Sequence, residues 1–378
     1  MNVYITRVSK FLPNDPVSND DMEKHLGMID GKPSKARNIV LRNNGIKQRY
    51  YAIDGEGNPT HTNVEMAAKA IRNLLDEHLS LDDIDLLACG TATPEQLIPS
   101  HGVMVHGELG GSRNIEVVSF AGSCCTGVDA LKYACMAVQL DPSLTAVVSA
   151  SEKTSSWMKA SYFQHEVSHL STLESHPMLS FQKEFLRWML SDGAYAILLQ
   201  GKPSDDQLSL RVDWIEITSF ANTMETCMYA GADKDEHGRL KGWASFEETE
   251  WLTRSLFAVK QDTRLLAEHI VKLGIDFVLQ LKDKYHFTYE DIDWFLPHLS
   301  SMLFKDKIMQ GIEAAGFPIP EEKWFVNLPK IGNIASASGF AMLEELMSSG
   351  KLCKGQHILI MVPESARFSY CYCMLTVC

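Results

Sequence analysis

The sequence predicts a duplicated α/β fold, in which each half of the chain contributes a mixed β-sheet covered by helices. Three kinds of segment occur in the first half and return in the same order in the second. They are an Asp-Ile-Asp turn before an apolar strand (81–89 and 289–297), a small-residue turn that opens a helix (119–134 and 332–343), and an apolar strand that ends in glutamate (144–152 and 355–364). Three matched units in one order indicate duplication of a single β/α unit.

The elements of the first half follow from local patterns. Residues 1–12 have the pattern of a β-strand, which Pro13 and Pro16 terminate. The next segment is typical of the start of a helix, with Ser18 or Asn19 as the N-cap. Apolar residues at helical spacing predict a helix over 62–79. A buried strand within 81–89 then leads into a loop at 90–95.

Residues 154–188 interrupt this alternation of strands and helices with a run of large side chains. The run contains Trp157, Met158, Tyr162, Phe163, Phe181, Phe185 and Trp188, and Met189 follows it directly. We interpret it as an insertion that covers an apolar surface, with a dimer surface as the alternative. Its histidines, His165, His169 and His176, lack metal-ligand spacing and are interpreted as solvent-facing loop residues. A strand returns at 191–199, and the linker 201–206 places the boundary between an N-terminal half, 1–203, and a C-terminal half, 204–378.

Composition excludes several classes of protein. The chain has 378 residues, of which 45% are hydrophobic and 22% charged, as in soluble globular proteins. Its net charge of −13 argues against a nucleic-acid partner, and no apolar run reaches the ~18–20 residues of a membrane span. The N-terminus lacks a signal-peptide pattern, so we expect a cytoplasmic protein. The nine cysteines are odd in number and show no CxxC pair, which predicts neither a disulfide framework nor a metal site.

The turn that opens the helix at 119–134 contains two adjacent cysteines, Cys124 and Cys125. A cysteine at a helix N-terminus meets unpaired N–H groups and the positive end of the dipole, which favour the thiolate. A strand–turn–helix elbow also fixes the sulfur in position, as a nucleophile requires. The alternative is a buried, inert cysteine.

Equivalent elbows of the two halves would meet near a pseudo-twofold axis. The residues delivered there are Cys125, His298 and Asn333. A thiolate can take an acyl group, while a histidine and an asparagine amide can bind a thioester carbonyl and stabilise its enolate. Taken singly, His298 could end a strand and Asn333 could cap a helix.

These residues resemble the thiolase-fold ketosynthases, most closely β-ketoacyl carrier-protein synthase III, over nearly the whole chain. Cys-Thr-Gly at 125–127 is similar to the family's Cys-Ala-Gly, 333–338 to its Asn-Thr-Ser-Ala-Ala-Ser, and 191–194 to its Gly-Asp-Gly-Ala. The alignment selects Cys125 rather than Cys124. The resemblance implies a homodimeric, five-layered αβαβα enzyme with two mixed sheets, in which Cys125 takes the acyl group and His298 with Asn333 promotes Claisen condensation. It implies no cofactor and no metal.

The resemblance also assigns supporting positions. The backbone N–H groups of Cys125 and Ala366 would form the oxyanion hole, although Glu364 to Phe368 replace the family's glycine run. Substrate-tunnel or loop positions would be Ile98, Phe163, Arg367 and Phe368. Glu152 and Glu95, the latter on a loop that enters the partner subunit's pocket in the family, are candidate additional bases or structural carboxylates.

The donor thioester is predicted from two further positions. The tryptophan and arginine that hold coenzyme A adenine in the family correspond to Ile39 and Asn43. This difference favours a thioester carried by acyl carrier protein over coenzyme A. Candidate carrier-binding basic residues are Lys305, Lys307, Arg254, Lys260 and Arg264, with a solvated surface as the alternative.

The departures and the aromatic insertion resemble one branch of the family, the ketosynthase/cyclases of dialkylresorcinol and bacterial stilbene biosynthesis. These enzymes join a β-ketoacyl thioester to a second acyl thioester and close a 2,5-dialkylcyclohexane-1,3-dione ring. The first rival is an initiating synthase III of fatty acid biosynthesis that uses malonyl carrier protein. The second is a catalytically silent subunit of a ketosynthase heterodimer, and the third is an acyltransferase that makes esters or amides.

Overall fold

The computed structural model describes residues 2–35, 37–163 and 185–378. The fold is organised around one large mixed sheet with helices on both faces. Its strands and those of the small two-stranded sheets are β1 (Tyr4–Phe11), β2 (Val17–Ser18), β3 (Gln48–Arg49), β4 (Leu86–Thr91), β5 (Glu116–Ala121), β6 (Ala146–Glu152), β7 (Gly193–Gln200), β8 (Leu210–Ser219), β9 (Met228–Tyr229), β10 (Ala232–Lys234), β11 (Leu240–Gly242), β12 (Lys260–Gln261), β13 (Trp294–Pro297), β14 (His357–Glu364) and β15 (Ser369–Val377). Its helices are α1 (Met22–Leu26), α2 (Arg37–Asn44), α3 (Asn63–Arg72), α4 (His101–Leu109), α5 (Thr126–Leu140), α6 (Glu248–Thr253), α7 (Thr263–Tyr285), α8 (Leu303–Ala314), α9 (Leu328–Ile331) and α10 (Ser338–Ser348).

The strand order shows the duplication directly. The nine-stranded sheet has the order β13-β14-β15-β8-β1-β7-β6-β4-β5. In the N-terminal half β4 and β6 are parallel and β7 and β1 follow antiparallel, and β13, β14, β15 and β8 repeat this pattern in the C-terminal half. The two halves therefore have matched topologies, as the repeated segments predict.

The two predicted sheets meet in one continuous sheet. Strand β1 pairs with β8 through Tyr4 and Arg211 and through Ile5 and Leu210, which joins the edges of the halves. The connection 201–209 between β7 and β8 contains the boundary at 203/204, which we keep as a proposal.

Three hydrophobic cores produce the five layers. The apolar side chains of β6, β7, β14 and β15 alternate between two cores. Ile358, Ile360 and Val362 of β14 face a central core that also contains α5 and α10, whereas Leu359 and Met361 face an outer core with α7 and α8. The N-terminal half packs its other face against α3 and α4 in the third core. Helices thus lie outside both halves and between them, which is the predicted αβαβα arrangement.

Two predicted helix boundaries differ from the structure. Helix α3 ends at Arg72 and not at residue 79, because Leu74 and Leu75 enter tight turns and Arg7 binds both the carbonyl of Leu74 and the carboxylate of Asp76. Ser18 is not a helix cap, since it pairs with Gln48 in the β2–β3 sheet and α1 begins only at Met22. The predicted capping by Ser18 or Asn19 is therefore wrong.

Candidate active site

Close backbone contacts determine the start of α5. The helix begins at Thr126, directly after Cys125, and the Thr126 hydroxyl donates to the carbonyl of Ser123 at 2.8 Å. A Cβ on Gly127 would lie 2.4 Å from the carbonyl oxygen of Ser336, so only glycine fits at this position. Glycine is therefore required two residues after Cys125, because α5 contacts the matching turn of the C-terminal half at this point.

A large, mostly apolar cavity opens beside this turn. Its empty space, including the mouth, measures about 1120 Å³. The lining brings together Cys124, His298 and Asn333, with Thr93 and Ser123 nearby on the wall. Two of the three predicted catalytic residues thus share one cavity, together with a cysteine that we did not assign.

Cys125 is not among the residues that line this cavity. Its Sγ donates to the carbonyl oxygen of Val362 at 3.4 Å, and its backbone N–H donates to the carboxylate of Glu364 at 3.1 Å. Glu364 therefore occupies a position that we assigned to an oxyanion. The sequence shows a glutamate in place of the family's glycine run, but we gave that carboxylate no role. The nucleophilic role of Cys125 stays a prediction, and Cys124 becomes a second candidate.

Both neighbouring thiols are protonated in this state. Burial raises the pKa of Cys125 well above its ordinary value, and Cys371 and Glu364 raise it further. Burial also raises the pKa of Cys124 to about 12. Desolvation of the thiols and the carboxylate at the N-terminus of α5 outweigh the expected stabilisation of a thiolate by the helix dipole.

His298 follows β13 directly and is held by a backbone bond from its N–H to the carbonyl of Met361 at 2.7 Å. Burial lowers the pKa of its imidazole to about 4. The ring is therefore neutral near pH 7, so it has one nitrogen that donates and one that accepts a hydrogen bond.

Asn333 is fixed by its own turn. Its N–H donates to the carbonyl of Met189, and its carbonyl accepts from Ser191, at 2.9 and 2.8 Å. The side-chain oxygen accepts from the N–H of Ala335 at 2.9 Å. The amide NH₂ is consequently the group that Asn333 can offer to a ligand in the cavity.

Glu152 is fully buried next to the cavity wall. Its carboxylate accepts hydrogen bonds from the Ala92 N–H at 3.0 Å, the Thr93 hydroxyl at 2.8 Å, and both the N–H and hydroxyl of Ser336. Burial raises its pKa to about 7 in spite of these donors. Thr93 lines the cavity, so this hydroxyl connects Glu152 with it. Glu95 is a partly exposed carboxylate, 3.7 Å from the Lys153 ammonium.

We expect the raised pKa of Glu152 to make stability depend on pH. The folded protein holds this proton up to a pH of about 7, whereas the ordinary pKa is 4.5. Stability therefore falls as pH rises between these values, by about 3 kcal/mol for this group. Urea unfolding of wild type and Glu152→Gln across this range measures the effect. The Gln variant should lack this part of the slope.

A matched control for this experiment is Glu95→Gln, which alters a carboxylate that is 26% exposed. This variant should retain the wild-type slope. Equal slopes for wild type and Glu152→Gln would show that Glu152 does not cause the pH dependence.

The predicted tunnel and oxyanion positions lie outside the cavity lining. Ile98 is 87% exposed on its loop, whereas Phe163 and Phe368 are buried. The Arg367 guanidinium donates to the carbonyl of Met224 at 3.0 Å. The carbonyl of Ala366 accepts from the N–H groups of Cys227 and Met228, although the neighbouring Ser365 does line the cavity. The roles of these residues stay predictions.

Most of the candidate carrier-binding cations have acidic partners in this chain. Lys305 pairs with Glu321, Arg264 with Glu268, Lys260 with Asp233, and Arg254 with both Glu250 and Asp233. Lys307 lies 5.9 Å from the centre of the Phe304 ring. The solvated-surface interpretation accounts for the contacts of the exposed and half-buried cations, whereas Lys260 is buried and does not belong to the surface.

Three further predictions concern the insertion, metals and membranes. His165, His169, His176 and Phe181 lie outside the described residues. Among residues 2–35, 37–163 and 185–378, no group of three or more His, Cys, Asp or Glu side chains could hold a metal ion. Within the same ranges, every helix is too short or too polar to cross a bilayer.

Known proteins resemble this chain in both sequence and fold. Residues 283–363 match the family described as "3-Oxoacyl-[acyl-carrier-protein (ACP)] synthase III C terminal". The chain is 23% identical to "Beta-ketoacyl-[acyl-carrier-protein] synthase III" of Chlorobaculum tepidum over 364 residues, which cover 95% of each chain.

Two solved structures superpose along their whole length. "AbyA1 - tetronic acid condensing enzyme" has a TM-score of 0.76 at 20% identity, covering 99% of both chains. The 3-oxoacyl-[acyl-carrier-protein] synthase III of Aquifex aeolicus has a TM-score of 0.69 at 19% identity, covering 100% of both. The chain is thus related in sequence to β-ketoacyl-[acyl-carrier-protein] synthase III and has the thiolase fold.

Proposed function

We propose that this protein is a ketosynthase, which forms a carbon–carbon bond by Claisen condensation of a cysteine-bound acyl group with a second acyl thioester. The observation that carries the proposal is the apolar cavity that His298, Asn333 and Cys124 line together, with the proposed nucleophile Cys125 next to Cys124 in the chain. The similarity to synthase III enzymes supports the same chemistry. Acyl carrier protein is the proposed donor and coenzyme A the alternative.

The first half of the reaction transfers the acyl group. The Cys125 sulfur, once deprotonated, attacks the carbonyl carbon of an acyl thioester, and a new C–S bond forms as the carrier thiol leaves. The proton from the cysteine returns to the departing thiol. Burial raises the pKa of the Cys124 and Cys125 thiols, so we propose that the cysteine loses its proton as the carrier thiol leaves.

The second half forms the carbon–carbon bond. The carbonyl oxygen of a second thioester accepts hydrogen bonds from the donor nitrogen of His298 and the amide of Asn333. These bonds stabilise the enolate that forms when the α-carbon loses a proton or carbon dioxide. The enolate carbon attacks the cysteine thioester, the new C–C bond forms, and the cysteine sulfur leaves.

We further propose the ring-forming branch, in which the cysteine carries an α,β-unsaturated acyl group and a β-ketoacyl thioester is the second substrate. The α-carbon of the β-ketoacyl thioester adds to the double bond, and its γ-carbon attacks the cysteine thioester and displaces the sulfur, which closes the ring. Hydrolysis of the remaining thioester and loss of carbon dioxide then leave a 2,5-dialkylcyclohexane-1,3-dione.

Ring closure needs an additional base. Glu152, with a pKa of about 7 and a hydrogen bond from Thr93 at the cavity wall, is the better supported carboxylate. Glu95 stays the second candidate. An initiating synthase that uses malonyl carrier protein is the rival enzyme, and a silent subunit is the rival without activity.

Incubating the wild-type protein with acyl carrier thioesters and then with a malonyl or a β-ketoacyl thioester tests these proposals. Intact-protein mass spectrometry should show one acyl addition, and the second thioester should remove it and release a product. A cyclic product from the β-ketoacyl thioester supports the ring-forming branch. Turnover with malonyl thioester alone supports the initiating synthase, and no adduct supports the silent subunit. Cys353→Ala, which removes an exposed thiol, controls for nonspecific acylation.

A homodimer is the proposed assembly. Strand β5 forms one edge of the nine-stranded sheet, and its Val117, Val118 and Phe120 are half-buried in this single chain. The nearby loop exposes Leu97 and Ile98. An apolar sheet edge of this kind is suited to pairing with a second copy. Light scattering coupled to gel filtration should give twice the chain mass.

A further inference from the structure

Glu364 is a carboxylate that the end of a strand places against the proposed nucleophile. It is the last residue of β14 and pairs with Ser369 of β15. Side chains alternate along the strand, so the neighbouring Pro363 and Ser365 line the cavity, whereas Glu364 faces the start of α5. The sheet therefore directs this carboxylate at the turn that contains both cysteines.

Two groups from this end of β14 contact Cys125. The carbonyl of Val362 accepts a hydrogen bond from the Cys125 thiol at 3.4 Å, and the carboxylate of Glu364 accepts one from its backbone N–H at 3.1 Å. Burial is the main cause of the raised pKa of the Cys124 and Cys125 thiols, and the negative charge of Glu364 adds to it, together with Cys371 in the case of Cys125. The carboxylate is therefore close enough to act on the thiol.

The surroundings of Glu364 make it a stronger base than an exposed glutamate. Burial raises its pKa, the backbone N–H of Cys125 lowers it, the charge of Asp129 on α5 raises it, and the backbone N–H of Ser123 lowers it. The thiol of Cys371 on β15 also lies within reach of its charge. The N–H donors thus hold the ionised form, while burial and the acidic neighbour favour the uptake of a proton.

We propose that Glu364 carries the proton of the nucleophilic cysteine to the departing carrier thiol, and that its own protonation frees the Cys125 N–H for the acyl oxygen. The proposal rests on the proposed condensing function and names the base of its acyl-transfer step.

The step conserves atoms and charge. The S–H bond of Cys125 breaks as an oxygen of Glu364 takes the proton, and the sulfur forms a bond to the thioester carbonyl carbon. A neutral carboxylic acid accepts a hydrogen bond more weakly than a carboxylate does, so the Cys125 N–H turns to the new oxyanion. The carbonyl then re-forms, the bond to the carrier sulfur breaks, and Glu364 returns the proton to that sulfur. The carboxylate is regenerated, and the step needs no further reactant.

Glu364→Gln tests the proposal, because the amide oxygen can still accept from the Cys125 N–H but cannot hold the proton. The rate of adduct formation with an acyl carrier thioester, followed by intact-protein mass spectrometry, should fall by about 10²-fold or more, as expected for the loss of a general base. The wild-type rate should rise with pH as Glu364 ionises, whereas the variant should react only in the alkaline range in which the thiol itself ionises. Glu364→Asp should restore part of the rate. Glu364→Ala should show the same loss as the Gln variant and serves if that variant does not fold.

Alkylation by iodoacetamide distinguishes proton transfer from a structural role. It is measured on the native proteins, at the peptide that contains Cys124 and Cys125. Loss of the Glu364 charge lowers the pKa of both thiols, so the Gln variant should be alkylated at least as fast as the wild type. Adduct formation at or above the wild-type rate, or a parallel loss of alkylation and adduct formation, would overturn the proposal.

Asp129→Asn is the matched control, since it removes another carboxylate near the start of α5. It should form the adduct at the wild-type rate, because Glu364 keeps its proton-accepting group. An equal loss of rate in this control would overturn the role of Glu364. No adduct in the wild type would overturn the proposed function together with its base, whereas equal rates in the wild type and Glu364→Gln would overturn only the role of Glu364.

Discussion

Replacing Cys125 with alanine is expected to abolish the acyl adduct completely. Cys125 directly precedes α5, and Gly127 allows the close contact with Ser336 that holds this start of the helix in place. The Cys125 backbone N–H, which donates to Glu364, can stabilise an oxyanion on the acyl group only after that carboxylate is displaced. Intact-protein mass spectrometry after incubation with an acyl carrier thioester measures the effect.

Comparison with Cys124→Ala decides which of the two cysteines is the nucleophile. It removes the neighbouring thiol, which is equally desolvated but lines the cavity that contains His298. We expect it to retain the adduct. Loss of the adduct in Cys124→Ala and its retention in Cys125→Ala would transfer the nucleophilic role to Cys124. The elbow and the proposed chemistry would then stand, and the assignment by motif alone would be wrong.

Replacing His298 with alanine is expected to separate the two halves of the reaction. The acyl adduct should still form, because the imidazole does not carry the acyl group. Condensation should slow by about 10²–10³-fold, the usual cost of removing one preorganised donor to an oxyanion. Single-turnover measurements on the preformed adduct give the condensation rate without the acyl-transfer step.

His101→Ala is a suitable control for this effect. His101 is also a buried histidine whose pKa burial lowers to about 4, but its ring contacts Ser151 at 3.1 Å and lies outside the cavity lining. The control should lose stability and keep the condensation rate per folded molecule. A similar loss in both variants, or unimpaired condensation in His298→Ala, would exclude the proposed role of His298.

Local patterns were sufficient for the elements that the two halves repeat, but they gave no prediction for the longest described helix, α7. The repeated Asp-Ile-Asp strand, small-residue turn and apolar strand appear as β4, the start of α5 and β6, and again as β13, the start of α10 and β14. Successive apolar residues along these strands point to opposite faces of the sheet, and each face packs into its own core. This alternation produces the layers of the fold. Helix ends were less well predicted where distant groups intervene, as Arg7 does after α3.

The candidate site was predictable only in part. His298 and Asn333 follow from matched positions in a duplicated chain, and they do share a cavity. The contacts of the cysteines could not be predicted from the sequence. The partners of Cys125 are Val362 and Glu364, which lie more than two hundred residues away in the chain. Its raised pKa depends on the same distant contacts and opposes the local effect of the helix dipole.

The sequence by itself determined the duplicated α/β organisation and the residue types that suit condensing chemistry, since both depend on periodicity and on motif spacing. Tertiary structure alone decided which thiol faces the cavity, that Glu364 lies at the N-terminus of α5, and that an apolar cavity extends under α7. Glu364 contacts Cys125 from more than two hundred residues away in the chain, and Tyr370 and Tyr372 of the last strand bind a helix about a hundred residues earlier. No local pattern records such a meeting, because burial and hydrogen bonding between distant segments exist only in the folded chain.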